Sequence, residues 1–167
     1  APVVEDTGEN IRSAAGAALF VTLAFVVPST ASAQIPDSVI PLQTVVSETN
    51  RFRAEYAAHF NKKDVAGLMT MYAADAIFTA EDGTRYSGAE AITAYFTKMA
   101  ATMPHIVVTS ESLLSYGGTA IDMGTITMHP PGGGEHKSRY LAVLRRELGG
   151  AGNWDLVRVA RTPVTAK

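Results

Sequence analysis

Asp122 stands in the run Ala120-Ile121-Asp122-Met123-Gly124-Thr125-Ile126, a β-type segment in which a carboxylate falls among apolar neighbours. A carboxyl turned into an apolar hollow gains proton affinity and can serve as a general base, with a hydroxyl such as that of Tyr56 holding the reacting group. Tyr56 and Asp122 are therefore the candidate catalytic pair, as donor and base, if both reach one hollow. The competing reading is plainer. An alternating strand of an antiparallel sheet has a wet face, and an Asp there belongs to solvent. A helical tyrosine is commonly a core residue with its hydroxyl bonded or at the rim. The expectation is thus a solvent-facing Asp122 and a structural Tyr56. His59 and Phe60 follow Tyr56 by three and four residues, so the three cannot all point inward, and His59 is expected to face water.

Other chemistry is thinly supported. His105, His129 and His136 lack the spacing of a metal site, and two histidines brought together across a hairpin fall short of the three or four ligands zinc requires. No metal and no cofactor are expected. The chain has no cysteine, which excludes disulfides and thiolate chemistry. Gly132-Gly133-Gly134 lacks the strand–Gly–Lys–helix context of a phosphate loop.

The elements that must position Tyr56 and Asp122 follow from periodicity. Leu42, Val45, Val46, Thr49, Phe52, Tyr56 and Phe60 recur at three- and four-residue steps, one face of a long helix. Asn61-Lys62-Lys63 ends it, and Asp64 is an N-cap for a short helix through Tyr72. Ala76–Ala80 reads as a strand, and Asp82-Gly83 as a tight turn to Thr84-Arg85-Tyr86. Ser87 and Glu90 form a capping box for a third helix that turns Ala91, Ile92, Tyr95, Phe96 and Met99 inward and stops before Pro104. Four β-runs follow, His105–Tyr116, Thr119–His129, Glu135–Leu148 and Trp154–Thr162, parted by glycine-rich breaks. The pattern predicts an α+β domain in which a curved antiparallel sheet wraps three N-terminal helices. Lys137, Arg139, Arg145, Arg146, Arg158 and Arg161 are expected on its outer face, as a solvated or partner-binding surface.

Three stretches carry a family resemblance: Tyr56-Ala57-Ala58-His59-Phe60-Asn61-Lys62-Lys63-Asp64; Leu68 with Met71-Tyr72-Ala73-Ala74-Asp75-Ala76-Ile77-Phe78; and Tyr86-Ser87-Gly88-Ala89-Glu90-Ala91-Ile92. Together with Arg139 to Arg146 and Asn153 to Arg158, they resemble SnoaL-like and ketosteroid-isomerase-like proteins of the NTF2-like superfamily, nearest the DUF4440/SgcJ-like branch. The resemblance implies a cone-shaped fold with a pocket between sheet and helices. The pocket walls are expected from Phe60, Tyr72, Phe78, Tyr95, Phe96, Met99, Met123 and Trp154. Of the isomerase acid–base groups, only the helix tyrosine carries over, as Tyr56. The base position falls on Ala80, and the second acid near Leu141 or Ala142. Proton abstraction then lacks both acceptor and second donor, so that chemistry is disfavoured.

The N-terminal residues add a location. Ser13–Val27 is an uncharged apolar run, Pro28 breaks it, and Ala31-Ser32-Ala33 supplies small residues for signal peptidase. Residues 1–33 read as a secretory leader or, through residues 11–33, a shallow membrane anchor; residues 34–41 are a linker, 42–164 the domain and 165–167 a tail. The expected location is periplasmic or extracellular. Of 14 basic and 16 acidic side chains, one and three lie in the first 33 residues, leaving 13 of each, a neutral domain without the footprint for nucleic acid. The functional expectation is a non-catalytic module that binds a small apolar ligand. It would dock as a homodimer or as an accessory subunit of a membrane-associated complex. The alternative is an isomerase, dehydratase, cyclase or SgcJ-like oxidoreductase acting on a hydrophobic molecule.

Overall fold

The computed structural model describes residues 40–146 and 153–164. The leader, most of the linker and the tail lie outside the described residues. Among the described residues, no helix is long and apolar enough to cross a membrane.

Helix α1, Leu42–Asn61, buries Val45, Thr49, Phe52 and Phe60, the three- and four-residue steps of its apolar face. Leu42, expected on that face, is exposed because it precedes the first packed turn. Lys63 takes a left-handed backbone (φ 59°) and reverses the chain. Asp64 then caps α2, Val65–Met69, by accepting from the Gly67 amide, and its second oxygen holds His59 Nδ1 at 2.8 Å.

The short helix ends at Met69 rather than reaching Tyr72. Tyr72 already lies beside Leu156 and opens β1, Tyr72–Thr79, longer than the expected Ala76–Ala80. A register irregularity between Tyr72 and Ile77 explains why periodicity hid its start. The Asp82-Gly83 turn leads to β2, Arg85–Ser87. The capping box does not form. Ser87 stays in the ladder opposite Ile77, and Gly88, with φ 83°, takes the N-cap of α3, Ala89–Met99. A 3₁₀ turn, Ala100–Thr102, precedes β3, His105–Tyr116. The remaining strands are β4, Thr119–His129, β5, His136–Arg146, and β6, Trp154–Pro163.

The strands form one curved, unclosed sheet in the order β2-β1-β6-β5-β4-β3. The last four make the expected antiparallel meander, whereas β1 runs parallel to β6. This is the cone-shaped α+β architecture, with the helices against the inner face of the sheet. Register shifts at Ser110/Ser112 and Val143/Leu144 supply bend, since an extra residue on one strand increases local twist.

Gly124, on the inner face of β4, makes the first of these bends possible. A Cβ there would lie 1.9 Å from the carbonyl oxygen of Thr109, backbone that cannot yield. Gly124→Ala should therefore lower urea-unfolding stability by more than about 2 kcal/mol. Gly132→Ala, in open space, should stay within about 0.5 kcal/mol of the parent.

Candidate functional site

Strand alternation on β4 sends Ala120, Asp122, Gly124, Ile126 and Met128 to the inner face. Asp122 is thus not the solvent-facing residue expected: it is 2 % exposed. Both faces of β4 carry apolar side chains, so alternation alone could not say which one is wet. Its register partner on β5 is Ala142, the position at which the resemblance left an apolar residue in place of an acid. The carboxylate lies one strand away from where the resemblance implied one.

Three donors meet that carboxylate. Arg53 Nη1 from α1 donates to Oδ2 at 2.8 Å, Tyr140 from β5 donates to the same oxygen at 3.0 Å, and Ser110 from β3 donates to Oδ1 at 2.5 Å. The Arg53 side chain is itself only 15 % exposed, so a buried ion pair ties α1 to the sheet. Ser110 reaches Asp122 at the β3 irregularity that Gly124 permits.

Asp122 and Tyr56 line the same hollow. The other walls are mainly apolar, from Phe52, Val108, Ile126, Leu144, Leu156 and Val159, and Arg161 enters from β6. The hollow and its mouth enclose about 500 Å³, of which about 40 Å³ is open to the centre of a water-sized molecule, so it takes only a compact guest without side-chain movement. Tyr56 and Tyr72 hydroxyls are 3.1 Å apart. If Tyr72 donates, Tyr56 keeps a proton to offer to the hollow; the reverse would orphan a proton in the core. Burial pushes the Tyr72 phenol well up, and pushes those of Tyr56, Tyr95 and Tyr140 up. The Asp122 charge adds to the rise at Tyr140, while the Tyr72 bond and the Arg161 charge partly offset it at Tyr56.

Arg161 is held at the wall by Glu81, Ser138 Oγ at 3.1 Å and Met128 Sδ at 3.0 Å. Glu81 also accepts from His136 Nε2 at 2.6 Å. Arg146 likewise turns in, to Glu48 at 2.7 Å. These two arginines therefore do not belong to the outer face expected for them. Arg146, like Tyr140, alternates in phase with buried Ser138, Ala142 and Leu144 on β5, and Arg161 with buried Val159 on β6, a signal that period-two counting carries. Arg53 sits four residues after Thr49 and three before Tyr56, the spacing that put it in the site.

The eight expected wall residues lie elsewhere. Phe60, Tyr72, Phe78, Tyr95 and Phe96 pack with one another, ring centroids 5.1–6.1 Å apart for the pairs that include Phe96, in a core cluster beside the hollow. Met99 packs at the edge of that core. Met123 is on the opposite face of β4 from Asp122. Trp154 borders a separate polar groove and donates to Glu48 at 2.8 Å. His105 and His129 are register partners, and no group of three or more ligating side chains among the described residues could hold a metal.

Two outcomes follow. Asp122→Ala leaves a buried guanidinium unpaired and should remove about 3–5 kcal/mol of stability, against about 1–2 kcal/mol for Tyr140→Phe, both read by urea unfolding. The four raised phenols keep their protons in the folded state above the pH at which an unfolded chain loses them, near 10. Stability is accordingly full below about pH 10 and falls as pH rises through the folded values. Absorbance at 295 nm should show these four ionising only with alkaline unfolding.

No curated protein matches the chain significantly in sequence. Solved structures match its fold. A ketosteroid isomerase-like protein from Erwinia carotovora atroseptica aligns with TM-score 0.61 at 14% identity, over 75% of this chain and 97% of that one. An NTF2-like protein of unknown function from Pseudomonas putida gives 0.61 at 17%, over 72% and 87%. Another, from Shewanella oneidensis, gives 0.58 at 11%, over 74% and 99%. Residues 52–151 match the family model of the SnoaL-like domain, which does not distinguish the DUF4440/SgcJ-like branch. With an NTF2-like fold and a family match over more than half its length, the chain belongs to the SnoaL-like domain family.

Proposed function

We propose that this domain binds a compact, mainly apolar small molecule and does not use Asp122 as a base. The observation that carries the reading is the engagement of Asp122: both carboxylate oxygens accept, and one accepts twice. A base must offer a free lone pair to a substrate proton, and here a donor would first have to leave. Asp122 acts as the fixed anchor of Arg53, Ser110 and Tyr140, while Tyr56 offers its hydroxyl to an acceptor atom on the guest. Phenol, a ring with one polar atom, is a suitable probe. In a ¹H–¹⁵N titration it should move the amides of Tyr56, Ile126 and Ala142; shifts confined to the outer sheet face would refute the reading.

The same observation of one shared hollow favours an enzymatic second reading, with Tyr56 as donor and Asp122 as base. It requires that the protein exchange the α-protons of cyclopentanone in D₂O and that Asp122→Asn abolish the exchange.

Around this pocket we place two further roles. The leader-like residues 1–33 support export, with membrane contact if residues 11–33 are retained. The outer face supports self-association or docking as a subunit of an envelope complex. Ile121 stands opposite Val143, and Met123 opposite Leu141, which is 40 % exposed, with the Arg139–Glu111 pair close by. A contiguous apolar patch rimmed by charge is the usual signature of an interface. Sedimentation velocity should give a dimer that Leu141→Glu converts to monomer; a monomer in both would remove the homodimer.

A further inference from the structure

Arg161 is an unusual wall residue, a guanidinium only 9 % exposed on the inner face of a sheet. Its donors divide into two groups. Nε and Nη2 point to Ser138, Met128 and Glu81. Nη1 has no partner among the described residues. Arg161 lines the hollow, and its charge reaches the Tyr56 phenol there. The same hollow is lined by Tyr56, whose hydroxyl is 3.1 Å from that of Tyr72.

The hollow is thus lined by two donor groups, the Arg161 guanidinium and the Tyr56 hydroxyl, and its one lining carboxylate, Asp122, is already engaged. A carbonyl oxygen has two lone pairs; a carboxylate has about four acceptor sites on two oxygens. Charge points the same way. Glu81 is the carboxylate that balances Arg161, and it is shared with His136 at 2.6 Å. Hydrogen bonds from a guanidinium to an anion are roughly twice as strong as those to a neutral acceptor.

We propose that the ligand of this hollow is a small carboxylic acid in its ionised form, its apolar body against Phe52, Val108 and Leu156 and its carboxylate received by Arg161 Nη1 and Tyr56. The inference rests on the binding role proposed above and names the ligand class.

Three isosteric probes test it on the intact protein: isobutyrate, isobutyramide and isobutylamine, titrated by ¹H–¹⁵N NMR. Isobutyrate should bind about tenfold more tightly than isobutyramide, the step expected from neutral to charge-assisted bonding. Isobutylamine should not bind. Glu81→Gln, which removes the competing carboxylate without touching the wall, should tighten isobutyrate further and leave isobutyramide unchanged. Arg161→Gln should erase the preference. Equal binding of isobutyrate and isobutyramide, or binding of the amine, would overturn the carboxylate assignment while leaving the apolar pocket standing. Failure of all three, with phenol also silent, would sink the binding role itself.

Discussion

A carboxylate buried in an apolar hollow must be met by donors or give up its charge, and Asp122 is met from every side. Arg53 arrives from α1, Ser110 from β3 and Tyr140 from β5, so one side chain on β4 ties three successive strands to the distant first helix. The consequences spread outward from this node. Gly124 must be glycine for β3 to kink toward Asp122. Helix α1 must present Arg53 beside Phe52 and Tyr56, which fixes its rotation on the sheet. The hollow that remains is apolar because its one acid is already committed. For the binding role proposed above, what is left to meet a guest is a set of donors, at Tyr56 and Arg161.

The elements most legible in the sequence are those where one signal dominates. α1, with its three- and four-residue steps, and the β3 and β4 ends at His105, Tyr116, Thr119 and His129 come directly from periodicity and glycine breaks. The elements that escaped are those where two signals compete. Ser87 has the chemistry of an N-cap, but its place in the β1–β2 ladder opposite Ile77 outweighs it. Tyr72 has helical neighbours before it, yet pairs across a bulge with β6. Long-range pairing leaves no local trace in either case.

The site was legible in part for the same reason. Tyr56 and Asp122 stand out by type, and they do share one hollow. Their surroundings do not stand out. Arg53, Tyr140 and Arg161 resemble ordinary surface or core residues until partners 18 to 80 positions apart are brought together. The aromatic residues expected as walls instead fill the core, where rings packed at tilted and edge-on angles bury more area than a small hollow would allow.

The claim on which all of this depends is that Asp122 and Arg53 act as one unit. A double-mutant cycle with Arg53→Met, Asp122→Leu and the double variant measures it directly, by urea unfolding. The account predicts a coupling above about 2 kcal/mol, with the double variant more stable than Asp122→Leu alone, since that single change strands a buried cation. Additive losses, with coupling below about 0.5 kcal/mol, would mean that the two side chains do not meet inside the fold and would remove the anchor from under the rest.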